Sequence, residues 1–453
     1  MIPWTRTEEL PGGIRETARI VWPLALAMMA GAMNHVCDRL FLAWCGDAAL
    51  EAVLPAEMLS ALLGGFLAAT IGYSATFVAQ LHGGNRPHDA VNAFAQGLWL
   101  ALFAAPLFLL FFPVGNFIIA TCGHDAAVCA AEKAYFAVNA PAGMLVVVNG
   151  VLAGILTGQG HTRHVGFSTV AGAILNLGLD PLFIFTCGLG ISGAALATAV
   201  ANLGVTLLLG VAIVRDPLVR SGGRAGDFRF NAERCRAIIR FGFPLGLNSL
   251  AAGISFTAFN FLVARCAPHE LAASNTVFAV NNVFYLATCA ASQGVAILTA
   301  RHHGAGQDEH AVRALRSGVV LVAAALVVCF AVALPCAGTI MDLFRGTDSA
   351  FDAAAFRRCG TLLFVIMFFR EIAEGALLLA GGALRGVGDT RYVMAVQCSI
   401  EVFLRMPLIF LVSALSQSVY LLWLTMPLDI GVISTLLVRR WLSGRWRTVR
   451  LET

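Results

Sequence analysis

Two polar side chains stand four residues apart in an apolar run that reads NLGLDPLFIF (176–185). Helical spacing puts Asn176 and Asp180 on one face, one turn apart. A charged side chain in the hydrocarbon of a membrane is costly, and such residues usually turn inward and serve a function. Asp38 and Thr198, in two further apolar runs, add a carboxylate and a hydroxyl. Such oxygen groups suit a hard cation, whereas two buried carboxylates without a cation would hold a proton.

The elements that carry these residues are predicted to be membrane-spanning helices. The 453-residue chain is 58% hydrophobic and 12% charged, with a mean hydropathy of +0.80, which excludes an ordinary soluble domain. Apolar segments of about 20 residues or more follow one another along the chain. We predict twelve, at 17–43, 52–80, 89–113, 131–157, 164–186, 191–214, 237–264, 270–299, 310–336, 359–384, 392–414 and 418–438. The expected fold is an all-α polytopic membrane protein.

The basic residues predict how these helices are oriented. With a cytoplasmic N-terminus, the inside loops, tails and helix ends hold twenty-two basic residues and the outside ones hold five. This excess follows the positive-inside rule and places both termini on the cytoplasmic side of the cell's inner membrane. The net charge of +4 requires no nucleic-acid partner, because the basic residues face anionic lipid.

The chain divides into two related halves. FVAQLHGGNRPHDAV (77–91) resembles LTARHHGAGQDEHAV (298–312), and Pro23 matches Pro244 at the same displacement of 221 residues. Because each half has six helices, the repeat is parallel, and its pseudo-two-fold axis runs along the membrane normal. We predict an N-lobe at 1–214, a cytoplasmic connector at 215–236, a C-lobe at 237–440 and a tail at 441–453. Two six-helix lobes with a cavity between them are typical of a transporter.

Helix direction places the four polar residues at one level of the N-lobe. Asp38 lies about 9 Å below the outer interface at a rise of about 1.5 Å per residue, and Asp180 lies at the same depth. Thr198 falls about 10 Å deep, and Asn176 lies one turn below Asp180. We therefore expect these four residues to form a site that binds a hard cation or a proton. The alternative is that these groups only hydrogen-bond neighbouring helices.

The first helix contains two further features. Arg39 and Glu57, on the second helix, lie at similar depths, and we expect a structural ion pair that leaves Asp38 free for coupling. Pro23 removes a backbone hydrogen bond from the helix that carries Asp38. We expect this helix to bend near Pro23 when the coupling site changes its occupancy.

A second charged cluster is expected in the C-lobe. Arg370 and Glu374 are i, i+4 neighbours, as are Glu401 and Arg405, and Glu371 follows Arg370. Three acids and two bases leave one carboxylate in excess. The excess carboxylate is one of Glu371, Glu374 and Glu401.

Several motifs together resemble the multidrug and toxic compound extrusion (MATE) family. They are NLGLDPLFIFTCGLGISGAALAT (176–198), the turn RGVGDTR (385–391) and the fifteen-residue spacing of Pro23 and Asp38. The similarity covers essentially the whole chain. It implies secondary active efflux of organic cations driven by a proton or sodium gradient. Four residues fall on the family's matching positions: Asp38, Asn176, Asp180 and Thr198.

The resemblance also indicates a branch of the family. NorM-type members place a functional acid where Glu374 stands, but their glutamate in the seventh helix is replaced here by Ala252. The N-lobe pattern is therefore more similar to the DinF-type branch. The expected substrates are small organic cations, the coupling ion stands in place of any cofactor, and the protein is expected to be a monomer.

We expect the substrate pocket between the lobes, with adaptable methionine and aromatic walls. The candidate lining residues are Met33, Tyr73, Phe256, Phe259, Phe284 and Met367. Any one such residue is more often part of a core or a lipid-facing surface.

Two other function classes were weighed. A flippase for lipid-linked oligosaccharide or peptidoglycan precursor shares the broader superfamily, but an arginine-rich groove would favour it, and acids inside the helices outnumber bases six to three. A membrane-embedded transferase would need a divalent-metal carboxylate motif such as DxxD on a cytoplasmic loop. The sequence has none there, so we expect no enzyme. Cys122 and Cys129 share one short external loop, where a disulfide is an open alternative.

Overall fold

The computed structural model describes residues 11–222, 224–344, 352–416, 418–449 and 451, and nearly all of them are helical. In chain order the helices are α1 (Ile14–Cys45), α2 (Asp47–Gly72), α3 (Ser74–Gly83), α4 (Pro87–Thr121), α5 (Ala126–Gly158), α6 (Thr162–Pro181), α7 (Ile191–Arg215), α8 (Pro217–Gly222), α9 (Ala232–Val263), α10 (Pro268–Gly304), α11 (Asp308–Ala333), α12 (Ala337–Leu343), α13 (Ala353–Val387), α14 (Thr390–Ile400), α15 (Met406–Leu415) and α16 (Val419–Leu442). Two π-helical turns follow α6 and α14, at Leu182–Thr186 and Glu401–Arg405. Two 3-10 turns lie at Ala225–Phe228 and Arg445–Thr448.

Most of these helices have the length and composition that a bilayer requires. Among the described residues, eleven helical stretches of 24 to 36 residues are apolar enough to cross a membrane. At about 1.5 Å per residue, even the shortest exceeds the roughly 30 Å of hydrocarbon. Helix α13 has 35 residues and is long enough as well, but Arg370, Glu371 and Glu374 interrupt its apolar sequence. It corresponds to the tenth predicted segment.

Contacts divide the chain into two units. The Asp38 unit consists of the described parts of Trp22–Leu250, Ala300–Gly306 and Leu451–Thr453. The Glu374 unit consists of those of Met1–Val21, Ala251–Thr299 and Gln307–Arg450. Helices α1, α9 and α10 therefore contribute residues to both units. The predicted lobe limits, which follow the sequence repeat, stay a prediction.

The core of the Asp38 unit fixes the helices that carry the candidate site. Leu42, Val53, Tyr135, Ile184 and Ala195 form one buried cluster that joins α1, α2, α5, α7 and the π-helical turn. Leu42 lies one turn beyond Asp38, and Ile184 lies one turn beyond Asp180. Because interiors are close-packed, this cluster limits how far the polar side chains beside it can move.

A reciprocal close approach joins the ends of α3 and α10. A side chain at Gly83 would collide with the backbone of Arg301, and a side chain at Gly304 would collide with the backbone of Gln80. All four residues belong to the Asp38 unit. Glycine is required at both positions because only a residue without Cβ lets the two backbones come so close.

Candidate functional site

A polar cavity lies inside the Asp38 unit among α1, α2, α5, α6 and α7. Its volume is about 420 Å³, which is within the range of small-molecule pockets. Polar side chains from all five helices face it: Asn34, His35, Asp38, Glu57, Ser60, Tyr135, Asn139, Thr169, Asn176, Thr198 and Asn202. A cavity of this polarity between apolar helices is a place where water, an ion or a polar ligand can bind.

Asn176 lies at the centre of the four predicted coupling residues. Its amide nitrogen lies 3.5 Å from Asp180 Oδ1 and 3.4 Å from Thr198 Oγ1. With the amide turned over, the nitrogen donates to Asp38 Oδ1 at 3.2 Å and the oxygen accepts from the Thr198 backbone N–H at 3.3 Å. In the first orientation the side chain connects α6 with α7, and in the second it connects α6 with both α1 and α7. The structure thus brings together all four residues, which we call the Asp38 cluster.

Asp38 and Asp180 form the acidic centre of this cluster. Their side chains hydrogen-bond each other, and both are buried, with Asp180 fully so. Within the described chain, Asp180 Oδ2 has no hydrogen-bond partner. Two carboxyl groups in contact need a shared proton or a cation between them, since two bare carboxylates would repel. Carboxylate, amide and hydroxyl oxygens with one unsatisfied atom fit a hard cation such as sodium as well.

The end of α6 positions Asp180. Asp180 and Pro181 close the helix, and the chain continues as the π-helical turn Leu182–Thr186. Single π-helical turns inside helices are often found at functional sites. The proline gives a local reason for the change of helix type, because it cannot donate a backbone hydrogen bond.

Hydrogen bonds between α5 and α7 hold Thr198 in place. Asn202 donates to the Thr198 carbonyl at 3.0 Å, and Asn149 donates to the Asn202 carbonyl at 3.1 Å. Thr206 donates to Asn149 Oδ1 at 2.7 Å. This ladder went unnoticed in the sequence, although its members recur every four residues along α7. It gives the Asp38 cluster a rigid support.

Glu57 has a nearer partner than the one predicted. Its carboxylate lies 2.7 Å from His35 Nδ1 and 3.8 Å from Arg39 Nη2. The predicted Arg39–Glu57 pair is present, but its distance is close to the limit of an ion pair and the Arg39 side chain is half exposed. His35 was missed. It lies three residues before Asp38 and therefore on the same helix face, which is a signal that the sequence contained.

The Glu374 unit has its own buried charged cluster. Arg370 donates to Glu371 at 2.6 Å, to Asn281 at 3.0 Å and to Glu374 at 3.2 Å. Glu371 is fully buried, and its second oxygen has no partner among the described residues. The predicted neighbours of Arg370 are thus in place. Asn281 contributes a contact that the sequence analysis did not include.

A second part of this cluster differs from the prediction. Arg405 lies 4.0 Å from Glu401 but hydrogen-bonds Asp429 directly. Asp429 is fully buried, and it was left out of the predicted set of intramembrane acids. The Arg405–Asp429 contact joins the Glu401–Arg405 turn to α16. The predicted i, i+4 neighbour Glu401 is in place, but it lies farther from Arg405 than Asp429 does.

The six candidate substrate-pocket residues have different environments. Tyr73, Phe259 and Met367 are buried in the apolar cores of their units, and Phe284 packs against the core of the Glu374 unit. Met33 and Phe256 are exposed. Their joint role in a pocket stays a prediction.

Pro23 and the paired cysteines can also be located. Pro23 lies inside the continuous helix α1, and Gly166 of α6 approaches its backbone so closely that a side chain there would collide. Cys122 and Cys129 are both free thiols. Cys129 Sγ contacts the carbonyl oxygens of Ile119 and His124.

Comparison with known proteins adds family information to this geometry. A family model described as MatE matches residues 23–182 and 244–411. The chain is 29% identical over 330 residues to a NorM protein of Deinococcus radiodurans described as a probable multidrug resistance protein, with 70% of each chain covered. It is 29% identical over 229 residues to DNA damage-inducible protein F of Escherichia coli, with 50% of this chain and 49% of that protein covered.

Solved structures show the same fold. A transporter of the MOP superfamily from Pyrococcus furiosus aligns with a TM-score of 0.86 at 18% identity, over 96% of this chain and 97% of that chain. A multidrug resistance MATE family transporter in an outward-facing conformation aligns with a TM-score of 0.85 at 18% identity, over 97% of both chains. The predicted all-α polytopic membrane fold is therefore confirmed.

Proposed function

Because the chain belongs to the MATE family of multi-pass membrane transporters, which are not enzymes, we propose that it is a secondary active multidrug efflux protein. It exports small organic compounds, cationic ones above all, in exchange for protons or sodium ions. Relatives described as multidrug resistance proteins support efflux rather than the flippase alternative. The protein acts as a monomer in the inner membrane with both termini in the cytoplasm.

The observation that carries this proposal is the contact between two buried carboxyl groups, Asp38, which lines the polar cavity, and Asp180 behind it. In the Asp38 cluster, Asp38 and Asp180 bind one proton between them, or a sodium ion takes its place. When that cation leaves, two carboxylates face each other and the arrangement becomes unstable. Binding and release of the cation can therefore favour different conformations, and a few kcal/mol of differential binding is sufficient for such a shift.

The same charge connects the ion to the substrate. A cationic substrate in the cavity would be attracted by the ionised carboxylates and repelled once they are neutralised. Ion and substrate then occupy the site in turn, which is the requirement for exchange.

The assignment to the DinF-type branch rests on this N-lobe site and on Ala252, which replaces the glutamate of NorM-type members. It predicts that exchange does not require the acidic residues of the Glu374 unit.

The test is efflux of ethidium from cells that lack other pumps, normalised to membrane-inserted protein. Asp38→Asn and Asp180→Asn keep the size and hydrogen bonding of each side chain but remove its charge. Both should abolish gradient-driven efflux at near-normal expression. Asp125→Asn is the matched control, because Asp125 is exposed in the α4–α5 loop and its side chain makes no capping bond.

Everted vesicles distinguish the two ions. Ethidium addition should dissipate an imposed proton gradient if the proton couples, and an imposed sodium gradient if sodium does. If both aspartate variants export as well as wild type, the Asp38 cluster is structural. If Glu374→Gln alone abolishes efflux, the DinF-type assignment is wrong.

A further inference from the structure

His35 and Glu57 form a pair in the cavity that the coupling reaction does not use. The His35 Nδ1–Glu57 Oε1 distance is 2.7 Å, and both residues line the same cavity as Asp38. The His35 side chain is 59% exposed and the Glu57 side chain 23% exposed, so water reaches both groups. Imidazole changes its charge near neutral pH. The pair can therefore take up and release a proton under ordinary conditions.

We propose that His35 and Glu57 form a second proton-binding site, separate from the Asp38 cluster, at which a proton on His35 and a cationic substrate exclude each other. The proposal rests on the proposed function, since it assigns an additional role to the same cavity. It concerns substrate affinity rather than the driving ion, so it holds with either coupling ion.

The charges around the cavity give the physical reason. Glu57 on α2 and Arg39 on α1 are the charged groups that act on His35 directly. Asp38 on α1 and Tyr135 on α5 line the same cavity, and Asp38 in turn contacts Asp180 on α6 behind the cavity wall. The two aspartates with one shared proton carry one negative charge, Glu57 and Arg39 cancel, and the tyrosine is neutral. With neutral His35 the cavity thus has one negative charge, and with protonated His35 it has none.

The contact geometry makes the exclusion direct. A protonated imidazole donates a charge-assisted hydrogen bond to Glu57, which occupies the carboxylate oxygen that an organic cation would approach. When the cation binds, His35 releases its proton to the water of the cavity. A cavity of about 420 Å³ has room for both the water and a ligand.

Ethidium is a suitable probe because its charge is permanent over the pH range used. Binding to purified protein should weaken about tenfold between pH 8 and pH 5.5, as expected from the loss of one attractive charge at short range. In His35→Gln the weakening should fall below about threefold. His88→Gln should behave like wild type, because His88 has a similar carboxylate partner, Asp227 at 3.0 Å, but lies outside the cavity.

Proton release is the second readout. In weakly buffered solution at pH 6.5, ethidium should displace protons from wild type and His88→Gln, and measurably fewer from His35→Gln. Glu57→Gln should weaken binding at pH 8, whereas Glu51→Gln on the exposed side of α2 should not. If His35→Gln does not fold, the comparison of Glu57→Gln with Glu51→Gln still tests whether the His35–Glu57 pair affects substrate binding.

The outcomes separate the two proposals. Equal pH dependence and equal proton release in wild type and His35→Gln would overturn the second site while leaving efflux intact. Ethidium binding of Glu57→Gln equal to that of wild type at pH 8 would also overturn the second site. Wild-type protein that neither binds nor exports ethidium would instead contradict the proposed function.

Discussion

At the scale of single residues, depth in the membrane and helical spacing were sufficient to predict that the four residues of the Asp38 cluster lie together. Asn176 and Asp180 share a helix face by their four-residue spacing, and counting residues from the helix ends put Asp38 and Thr198 at the same level. Such counting gives depth but not the rotation of a helix about its axis. That is why Asp429, on a different helix from Arg405, was not recognised as its partner.

Removing the charge of Asp429 should destabilise the Glu374 unit. Its fully buried carboxylate accepts from Arg405 and from the Ile430 backbone N–H at 2.8 Å. Asp429→Asn leaves the arginine, itself largely buried, with only the more distant Glu401 as a counter-ion, at a cost of about 3 kcal/mol. Thermal unfolding in detergent would show this loss as a lower midpoint.

The matched control for this substitution is a surface pair of the same kind. Asp342 lies 3.6 Å from Arg357, and both side chains are about half exposed. Asp342→Asn should therefore change stability by less than about 0.5 kcal/mol. Similar midpoints for Asp342→Asn and Asp429→Asn would mean that the Arg405–Asp429 contact contributes little.

At the scale of elements, apolar length predicted the helices but not their interruptions. Every predicted segment contains a helix, because a chain inside lipid must satisfy its backbone hydrogen bonds internally. The break at Tyr73 between α2 and α3 has no comparable signal. It depends on packing with other helices, which one sequence does not reveal. Both π-helical turns lie next to a proline, Pro181 and Pro407, and a proline commonly marks a helix irregularity.

The bend expected of α1 can be tested at Pro23. Pro23→Ala restores a backbone hydrogen bond and should lower ethidium efflux about tenfold, while expression and ethidium binding stay near normal. The close approach of Gly166 to the Pro23 backbone places any such bend against α6, which carries Asp180. Pro106→Ala is the control, because Pro106 is an exposed proline inside α4. Unchanged efflux in Pro23→Ala would remove the bend from the mechanism.

Hydrogen bonds attach the connector to α4. His88 lies 3.0 Å from the Asp227 carboxylate, Asn92 donates to the Asp227 carbonyl at 2.7 Å, and Gln96 donates to the Arg229 carbonyl at 3.0 Å. Burial alone would raise the pKa of the Asp227 carboxyl. Hydrogen bonds from the Arg224 backbone N–H and from His88 nevertheless hold this pKa below its ordinary value.

This depressed pKa fixes the direction of the pH dependence. The stabilisation is complete above the ordinary aspartate value of about 3.9 and is lost as the pH falls through the lower folded-state pKa. Deuterium uptake of residues 224–231, corrected for intrinsic exchange, should thus be low at pH 7 and pH 5 and high at pH 2.5. Asp227→Asn should raise it at pH 7 and pH 5 and change it little at pH 2.5, where the wild-type stabilisation is already lost. Glu233→Gln, an exposed acid at the start of α9, should leave it unchanged.

At the scale of the whole molecule, the arginine distribution predicts the orientation in the membrane. In a cysteine-free background, Arg220→Cys in the connector should react with an impermeant maleimide only after the membrane is opened. Asp125→Cys in the α4–α5 loop should react in intact spheroplasts. Both positions are exposed, so lack of reaction would reflect the side of the membrane. The reverse pattern would overturn the predicted topology.

The glycine contact between α3 and α10 has a consequence for the origin of the chain. Gly83 and Gly304 are 221 residues apart, as are their contact partners Gln80 and Arg301, which is the displacement of the sequence repeat. Gly83 thus meets the repeat counterpart of Gln80, and Gln80 meets the repeat counterpart of Gly83. That reciprocity defines an isologous interface between identical subunits. The contact is what a homodimer of six-helix chains would leave behind after gene duplication and fusion, with glycine still required on both sides.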